Sequence, residues 1–237
     1  MDEDDRGFPA QQDVYDVNER GEVAPHIPAG VTSALDVGCG RGGFGATLRR
    51  ALGPGARIVG IEPVASQAER ARSAGFDEVV CDYFPTQDTS LGTFDLVCFN
   101  DVLEHLVDPW QVLRETQGWL TPGGHVLAAI PNIQYWPAII DLFNGRWDYT
   151  ESGLMDRTHL RFFTRKTVVE LFDQAGYDVI SCTGAHSVWG MEWKPQGSSL
   201  GERARAVVRG RLARLRPDGQ FLHFVVLASP RRQEEVS

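Results

Sequence analysis

Short apolar blocks alternate along this chain with segments whose apolar residues recur three and four apart, the pattern of strands followed by amphipathic helices. Strands are predicted at Ser33 to Val37, Arg57 to Ile61, Glu78 to Cys81, Leu96 to Asn100, Gly124 to Ile130, Tyr177 to Thr183 and Phe221 to Ala228. Helices are predicted at Gly43 to Leu52, Ala65 to Ala74, Trp110 to Leu120 and Thr164 to Ala175, where Lys166-Thr-Val-Val-Glu-Leu-Phe172 carries the helical spacing. Regular alternation of the two predicts an α/β fold in which a parallel sheet is wound on both faces.

The first strand runs into Ala34-Leu-Asp-Val-Gly-Cys-Gly-Arg-Gly-Gly-Phe-Gly45, a glycine-rich turn that opens the first helix. Glycines here let the backbone turn sharply and approach a ligand where a Cβ would clash. The spacing Asp36, Gly38, Gly40 differs from the Gly-x-Gly-x-x-Gly of nicotinamide enzymes, and an acid at the loop entrance suits a ligand bearing an ammonium group.

These residues resemble the first motif of the class I S-adenosylmethionine-dependent methyltransferases, and the family's other motifs follow in order. Arg57-Ile-Val-Gly-Ile-Glu62 is an apolar strand ending in an acid, 26 residues after Asp36. The resemblance implies that Glu62 accepts the ribose hydroxyls of the cofactor, that Asp82 and Tyr83 face its adenine, and that Asn100 closes the fourth strand over the reaction centre. Asp36, Gly38 and Gly40 complete the implied cofactor set. It also implies a doubly wound, seven-stranded Rossmann-like sheet, parallel except for a C-terminal antiparallel edge hairpin, with Val14 to Ile27 lying over the cofactor as helix or loop.

The length of 237 residues fits one domain, read here as 14–229 between an acidic flexible start (1–13) and a short tail (230–237). A net charge of −9 argues against a nucleic-acid binder. The start has no basic and apolar leader pattern and no apolar run reaches the length of a membrane span, so the expected compartment is cytoplasmic. Cys39, Cys81, Cys98 and Cys182 lack zinc or disulfide spacing and read as buried thiols. Charge is uneven: residues 1–22 hold eight acids and two arginines, whereas Arg203, Arg205, Arg209, Arg211, Arg214 and Arg216 form a basic run. That run reads as a solvated helix face, with contact to an anionic substrate or membrane surface as the sharper alternative.

Two segments exceed what the sheet requires, 132–163 and 184–219. They concentrate Tyr135, Trp136, Phe143, Trp147, Tyr149, Trp189, Met191 and Trp193 and follow the carboxyl ends of strands, so they are assigned to the substrate pocket and its lid. Such tryptophan-rich insertions also offer a homodimer contact. After the fourth strand, Asp101, Glu104 and His105 share one face if the segment is near-helical, and His159 sits before the next helix. This arrangement resembles the ubiquinone-biosynthesis O-methyltransferases and the small-RNA terminal ribose methyltransferases, with Asp101 in place of the usual first Glu. The implied metal ligands are Asp101, Glu104, His105 and His159, a carboxylate-rich set suited to Mg2+ or Mn2+, with two imidazoles that also allow iron or zinc. Without a metal, His159 or His105 is the expected general base. His125 and His186 read as structural or surface residues.

The stretches Ile130-Pro-Asn-Ile-Gln-Tyr135, Phe143-Asn-Gly-Arg-Trp-Asp-Tyr149 and Asp156-Arg-Thr-His-Leu-Arg-Phe-Phe-Thr164 resemble a bacterial methyltransferase group associated with polysaccharide and glycoside biosynthesis. The acceptor this implies is a hydroxyl of a sugar or oligosaccharide, with S-adenosylhomocysteine as second product, and Arg146, Asp148, Arg157 and Arg161 as hydroxyl-binding candidates. A catechol or phenol acceptor, an RNA terminal ribose and a non-catalytic cofactor-binding role are the alternatives, the RNA one weakened by the acidic charge.

Overall fold

The computed structural model describes residues 19–187 and 216–231. The acidic start, Trp189, Met191, Trp193 and the basic run up to Arg214 lie outside the described residues. Seven strands, β1 (Ser33–Val37), β2 (Arg57–Ile61), β3 (Glu78–Val80), β4 (Phe94–Asn100), β5 (Leu120–Pro131), β6 (Tyr177–Ser187) and β7 (Phe221–Pro230), form one sheet in the order β3-β2-β1-β4-β5-β7-β6. Six run the same way, and β7 is antiparallel to both neighbours, β5 and β6. The predicted sheet and its antiparallel end are present.

Successive residues of the central strands enter opposite cores, which is why these strands read as continuous apolar runs. On one face Leu35, Val97, Phe99, Val126 and Ala128 pack with Leu113, Leu171 and Phe172. On the other Ala34, Leu96, Cys98, Leu127 and Ala129 pack with Phe44, Leu48 and Val23. The helices that cover these faces are α1 (Gly43–Leu52), α2 (Ala65–Ala71), α3 (Pro109–Thr116) and α5 (Arg165–Gln174), with α4 (Trp136–Phe143) in the first insertion. α3 starts where Asp108 accepts a hydrogen bond from the Gln111 amide at 2.9 Å and Pro109 takes the first helical turn. At the start of α5 Thr164 and Thr167 cap each other reciprocally.

Several boundaries differ from expectation for local reasons. α2 stops at Ala71, because the chain must turn through Gly75 (φ 94°) to pack on α1. β5 begins at Leu120, before the expected Gly124, and so takes in Pro122-Gly123-Gly124, where the pairing with β4 shifts register between Phe94 and Leu96. α3 is shorter than predicted and passes into a 3-10 turn at Gln117–Trp119. The thiols are not uniformly buried: Cys39 and Cys98 are, Cys182 is half-buried, and Cys81 is exposed because it follows the short edge strand β3. α4 buries none of its residues, although most of them are apolar. No helix among the described residues is long and apolar enough to cross a membrane.

α1 and the turn before β3 touch at Gly45, where an added Cβ would lie 2.4 Å from the Phe76 ring and 2.8 Å from the Ala74 carbonyl oxygen. Gly45→Ala is therefore expected to destabilise the fold by about 1–3 kcal/mol, the usual range for overpacking. Urea unfolding checks it as a lowered midpoint at unchanged slope.

Candidate functional site

The polar groups gather at the carboxyl ends of β1, β2, β4 and β5. Asp36 at the end of β1 is buried, and burial pushes its carboxyl up to about 7, with Arg20 and an Asn100 hydrogen bond (3.5 Å) pulling the other way. Gly38 follows with φ 67°, and a Cβ there would stand 2.7 Å from Cγ2 of Val102, so the loop is sealed against the turn after β4. Glu62 at the end of β2 is buried and also raised by burial. Its two oxygens accept the amides of Gly40 and Val64, each at 2.9 Å. Each carboxylate oxygen retains a second lone pair for a diol. Asp82 is half-buried and accepts from the Tyr83 amide at 2.8 Å and the Thr86 hydroxyl at 2.6 Å. Asn100 leaves its Oδ1 buried without a hydrogen-bond partner.

The segment after β4 departs from the expected helical face. Asp101 takes a left-handed conformation (φ 52°) before the 3-10 turn Leu103–His105, so helical spacing does not extend across it. Asp101 instead pairs with Arg20 and lies 3.1 Å from Nε2 of His223. Burial alone would raise its carboxyl, but His223 and Arg20 hold it well below the ordinary carboxylate range. The structure thus brings Glu104, His105 and His159 together, with one potential ligand atom from each within 4.8 Å of the others, and leaves Asp101 outside this group. The insertion is tied to the turn by the Glu104 carbonyl, which accepts the amides of Leu160 (2.9 Å) and Arg161 (3.0 Å).

Glu104 is 1% exposed, and neither carboxylate oxygen has a hydrogen-bond partner. Burial, with the Asp101 charge adding to it, pushes the Glu104 carboxyl well above its ordinary range. His159 directs Nε2 toward it at 3.9 Å and donates Nδ1–H to the Leu154 carbonyl at 3.0 Å. His105 Nδ1 lies 2.9 Å from the Thr158 hydroxyl. That hydroxyl donates to Asp156 at 2.7 Å, so toward His105 it accepts, and His105 too carries its proton on Nδ1. Burial lowers both imidazoles below the ordinary histidine range, with the neighbouring His159 also depressing His105. A buried, unsatisfied carboxylate beside two neutral imidazoles whose Nδ1 atoms are anchored has the form of a cation site with its supporting hydrogen bonds in place.

The family model described as a methyltransferase domain matches residues 18–182. The chain belongs to the methyltransferase-domain family. The ubiquinone biosynthesis O-methyltransferase of Marinobacter nauticus is 35% identical over 109 residues, 42% of this chain and 44% of that protein. Its counterpart from a Methylobacterium species is 28% identical over 172 residues, 70% of this chain and 67% of that protein. This methyltransferase domain therefore spans less than half the length of the Marinobacter protein in that match. Among solved structures, the complex of the Haloferax volcanii Trm112 methyltransferase activator with a methyltransferase is similar in fold, with a TM-score of 0.59 at 18% identity, covering 90% of this chain and 89% of that one.

Three expectations about the insertion change. Arg146 pairs with Asp141 and Arg157 with Glu151, while Arg161 donates to the Val107 carbonyl, so these arginines already have partners. His186 is half-exposed, as expected, but lies 3.1 Å from Glu22. Arg20 and His223 were not legible as site residues, since each reaches Asp101 from a remote part of the chain without a local motif.

Asp36 titrates near neutrality in the free domain. A carboxyl raised on folding contributes stability that is complete at low pH and lost as pH climbs through 7. A ligand ammonium beside it favours the anion and reverses that preference. S-adenosylmethionine affinity is therefore expected to rise from about pH 6 to about pH 8 with proton release, and Asp36→Asn to flatten the profile. Titration calorimetry in buffers of different ionisation enthalpy measures both.

Proposed function

We propose that this domain is an S-adenosylmethionine-dependent O-methyltransferase, that its acceptor is a hydroxyl of a sugar or glycoside, and that a divalent cation held by Glu104, His105 and His159 assists. The observation that carries the reading is the Glu104 carboxylate, buried and unpartnered between two oriented imidazoles. Leaving a carboxylate desolvated and unpaired is costly, and a cation in reach of it removes the penalty. When bound, such a cation would hold the acceptor oxygen and stabilise the negative charge that develops on it. With Asp101 outside the group, the donors are one carboxylate and two imidazoles, which favours manganese over magnesium.

Asp36, Gly38 and Gly40, with Glu62, Asp82, Tyr83 and Asn100, form the methyl-donor side in this reading. The loop supplies close backbone approach, Glu62 the diol contact and Asp36 the contact to the donor's ammonium group. The acceptor side is supported by Trp147 and Tyr149, 39% and 54% exposed, whose faces suit the apolar faces of sugar rings. Trp147 is held edge-on by Phe162 at 5.3 Å between ring centroids. A catechol acceptor is the second reading, favoured by the relatives named ubiquinone biosynthesis O-methyltransferase. A small molecule in the cytoplasm fits either.

The experiment is methyl transfer from labelled S-adenosylmethionine to methyl glucoside, methyl mannoside and catechol, with and without chelator. Label in a glycoside, lost on chelation and restored by Mn2+, is the expected outcome, and label in catechol alone would overturn the sugar acceptor. Mn2+ binding read directly by electron paramagnetic resonance should be tight in the native chain and weakened at least about tenfold in Glu104→Gln, the scale seen when a metal site loses even a supporting contact. Equal binding by the two proteins would remove the metal from the proposal.

A further inference from the structure

His223 lies at the carboxyl end of the sheet, in register with Pro131 of β5 and Ala185 of β6. It stands at the end where Asp36, Glu62 and Asn100 also gather, yet belongs to neither the glycine loop nor the Glu104 group. Its side chain is 12% exposed, with Nε2 3.1 Å from Oδ1 of Asp101, and its Nδ1 is buried without a hydrogen-bond partner. Arg20 engages the other Asp101 oxygen, while Oδ1 lies within ion-pair distance of His223 but makes no well-aligned hydrogen bond. The His223–Asp101 contact is close in distance but loosely aligned, as catalytic hydrogen bonds often are before substrate binds. A carboxylate at Nε2 selects the tautomer with its proton there and leaves a lone pair on Nδ1.

The backbone supplies a second observation. Asp101 is one of three non-glycine residues with positive φ among those described, a conformation that costs free energy and concentrates at functional sites. In that conformation the carboxylate lies 3.1 Å from His223 and pairs with Arg20. His105 and His159, by contrast, have Nδ1 tied to Thr158 and Leu154. Of these three imidazoles, His223 is the one with a carboxylate behind one nitrogen and nothing bonded to the other.

We propose that His223 is the general base of the methyl transfer, oriented by Asp101, and that its Nδ1 takes the proton of the acceptor hydroxyl. The inference rests on the O-methyltransferase reading above. In the step the acceptor O–H bond breaks and its proton passes to Nδ1, while an oxygen lone pair forms the new O–CH3 bond. The methyl–sulfur bond breaks and its electron pair stays on sulfur, so the sulfonium becomes the neutral thioether of S-adenosylhomocysteine. One positive charge is thereby moved from sulfur to the imidazolium, which Asp101 stabilises. The charged and titratable groups around His223 are Asp101 after β4, Arg20 from the N-terminal strap, His159 from the insertion and His186 of β6. The His186 ring stands 5.7 Å away, with Glu22 on its Nε2.

His223→Asn, close in size, is compared with the native chain on whichever of methyl glucoside, methyl mannoside and catechol is labelled. The expected result is kcat lowered about 100-fold or more, with the acidic limb of its pH profile abolished and S-adenosylhomocysteine affinity unchanged. Added imidazole should restore part of the rate to His223→Ala. Proton–nitrogen correlation spectra of the native domain with S-adenosylhomocysteine need no acceptor and should place the His223 proton on Nε2. Retained kcat and acidic limb in His223→Asn, or a proton found on Nδ1, would overturn the inference. If the native chain labels no acceptor in the set, the acceptor reading fails, while the tautomer still decides whether His223 can act as base.

Discussion

Burial of the sheet on both faces is the constraint from which the site follows. A strand covered on two sides can carry polar side chains only near its ends, and those at the carboxyl end are Asp36, Glu62, Asn100 and Asp101, joined by His223 at the start of β7. The same burial sets their chemistry. Desolvation raises Asp36, Glu62 and Glu104, and Asp101 escapes only because Arg20 and His223 stand against it. The fold therefore concentrates acidic groups where water is scarce, an arrangement that favours cationic ligands over anionic ones.

Arg20 connects the two halves of this end of the sheet. Its guanidinium binds Asp101 on the acceptor side and is close enough to Asp36 on the donor side to lower that carboxyl. The strap that carries it is pinned by Thr47, whose hydroxyl donates to the Glu19 carbonyl at 2.6 Å, and by contact of the His26 ring with Thr183 at 3.2 Å. A charge change at either half is felt by the other through one side chain. Asp36, Asp101 and Glu104 all lie within electrostatic reach of this one arginine.

Legibility in sequence followed the range of the interactions. The glycine loop and Glu62 could be read because the strand, turn and helix that define them are contiguous, and the doubly wound sheet follows from the alternation itself. The Glu104–His105 pair was local too, and His159 was placed by resemblance. Helical spacing does not carry across Asp101, which adopts positive φ and engages Arg20, a contact that no local motif signals. For Arg146 and Arg157 the sequence left hydroxyl binding and pairing with a nearby acid both open, and the structure pairs them with Asp141 and Glu151. His223 left no trace at all, since β7 inserts between β5 and β6, and only that long-range antiparallel pairing carries it to Asp101.

The two histidine systems at this end of the sheet divide their work by what stands behind each ring. His105 and His159 have neutral or remote acceptors on Nδ1 and a protonation-prone carboxyl ahead of them, an arrangement that keeps imidazole nitrogens as ligands. His223 has the Asp101 carboxylate 3.1 Å from one nitrogen and no hydrogen-bond partner at the other, which is buried. The difference originates in Asp101: had the chain continued as a helix, both carboxylates would have served one cluster, leaving His223 without a counter-charge. A single left-handed residue thus separates ligand chemistry from proton chemistry across the ends of β4 and β7.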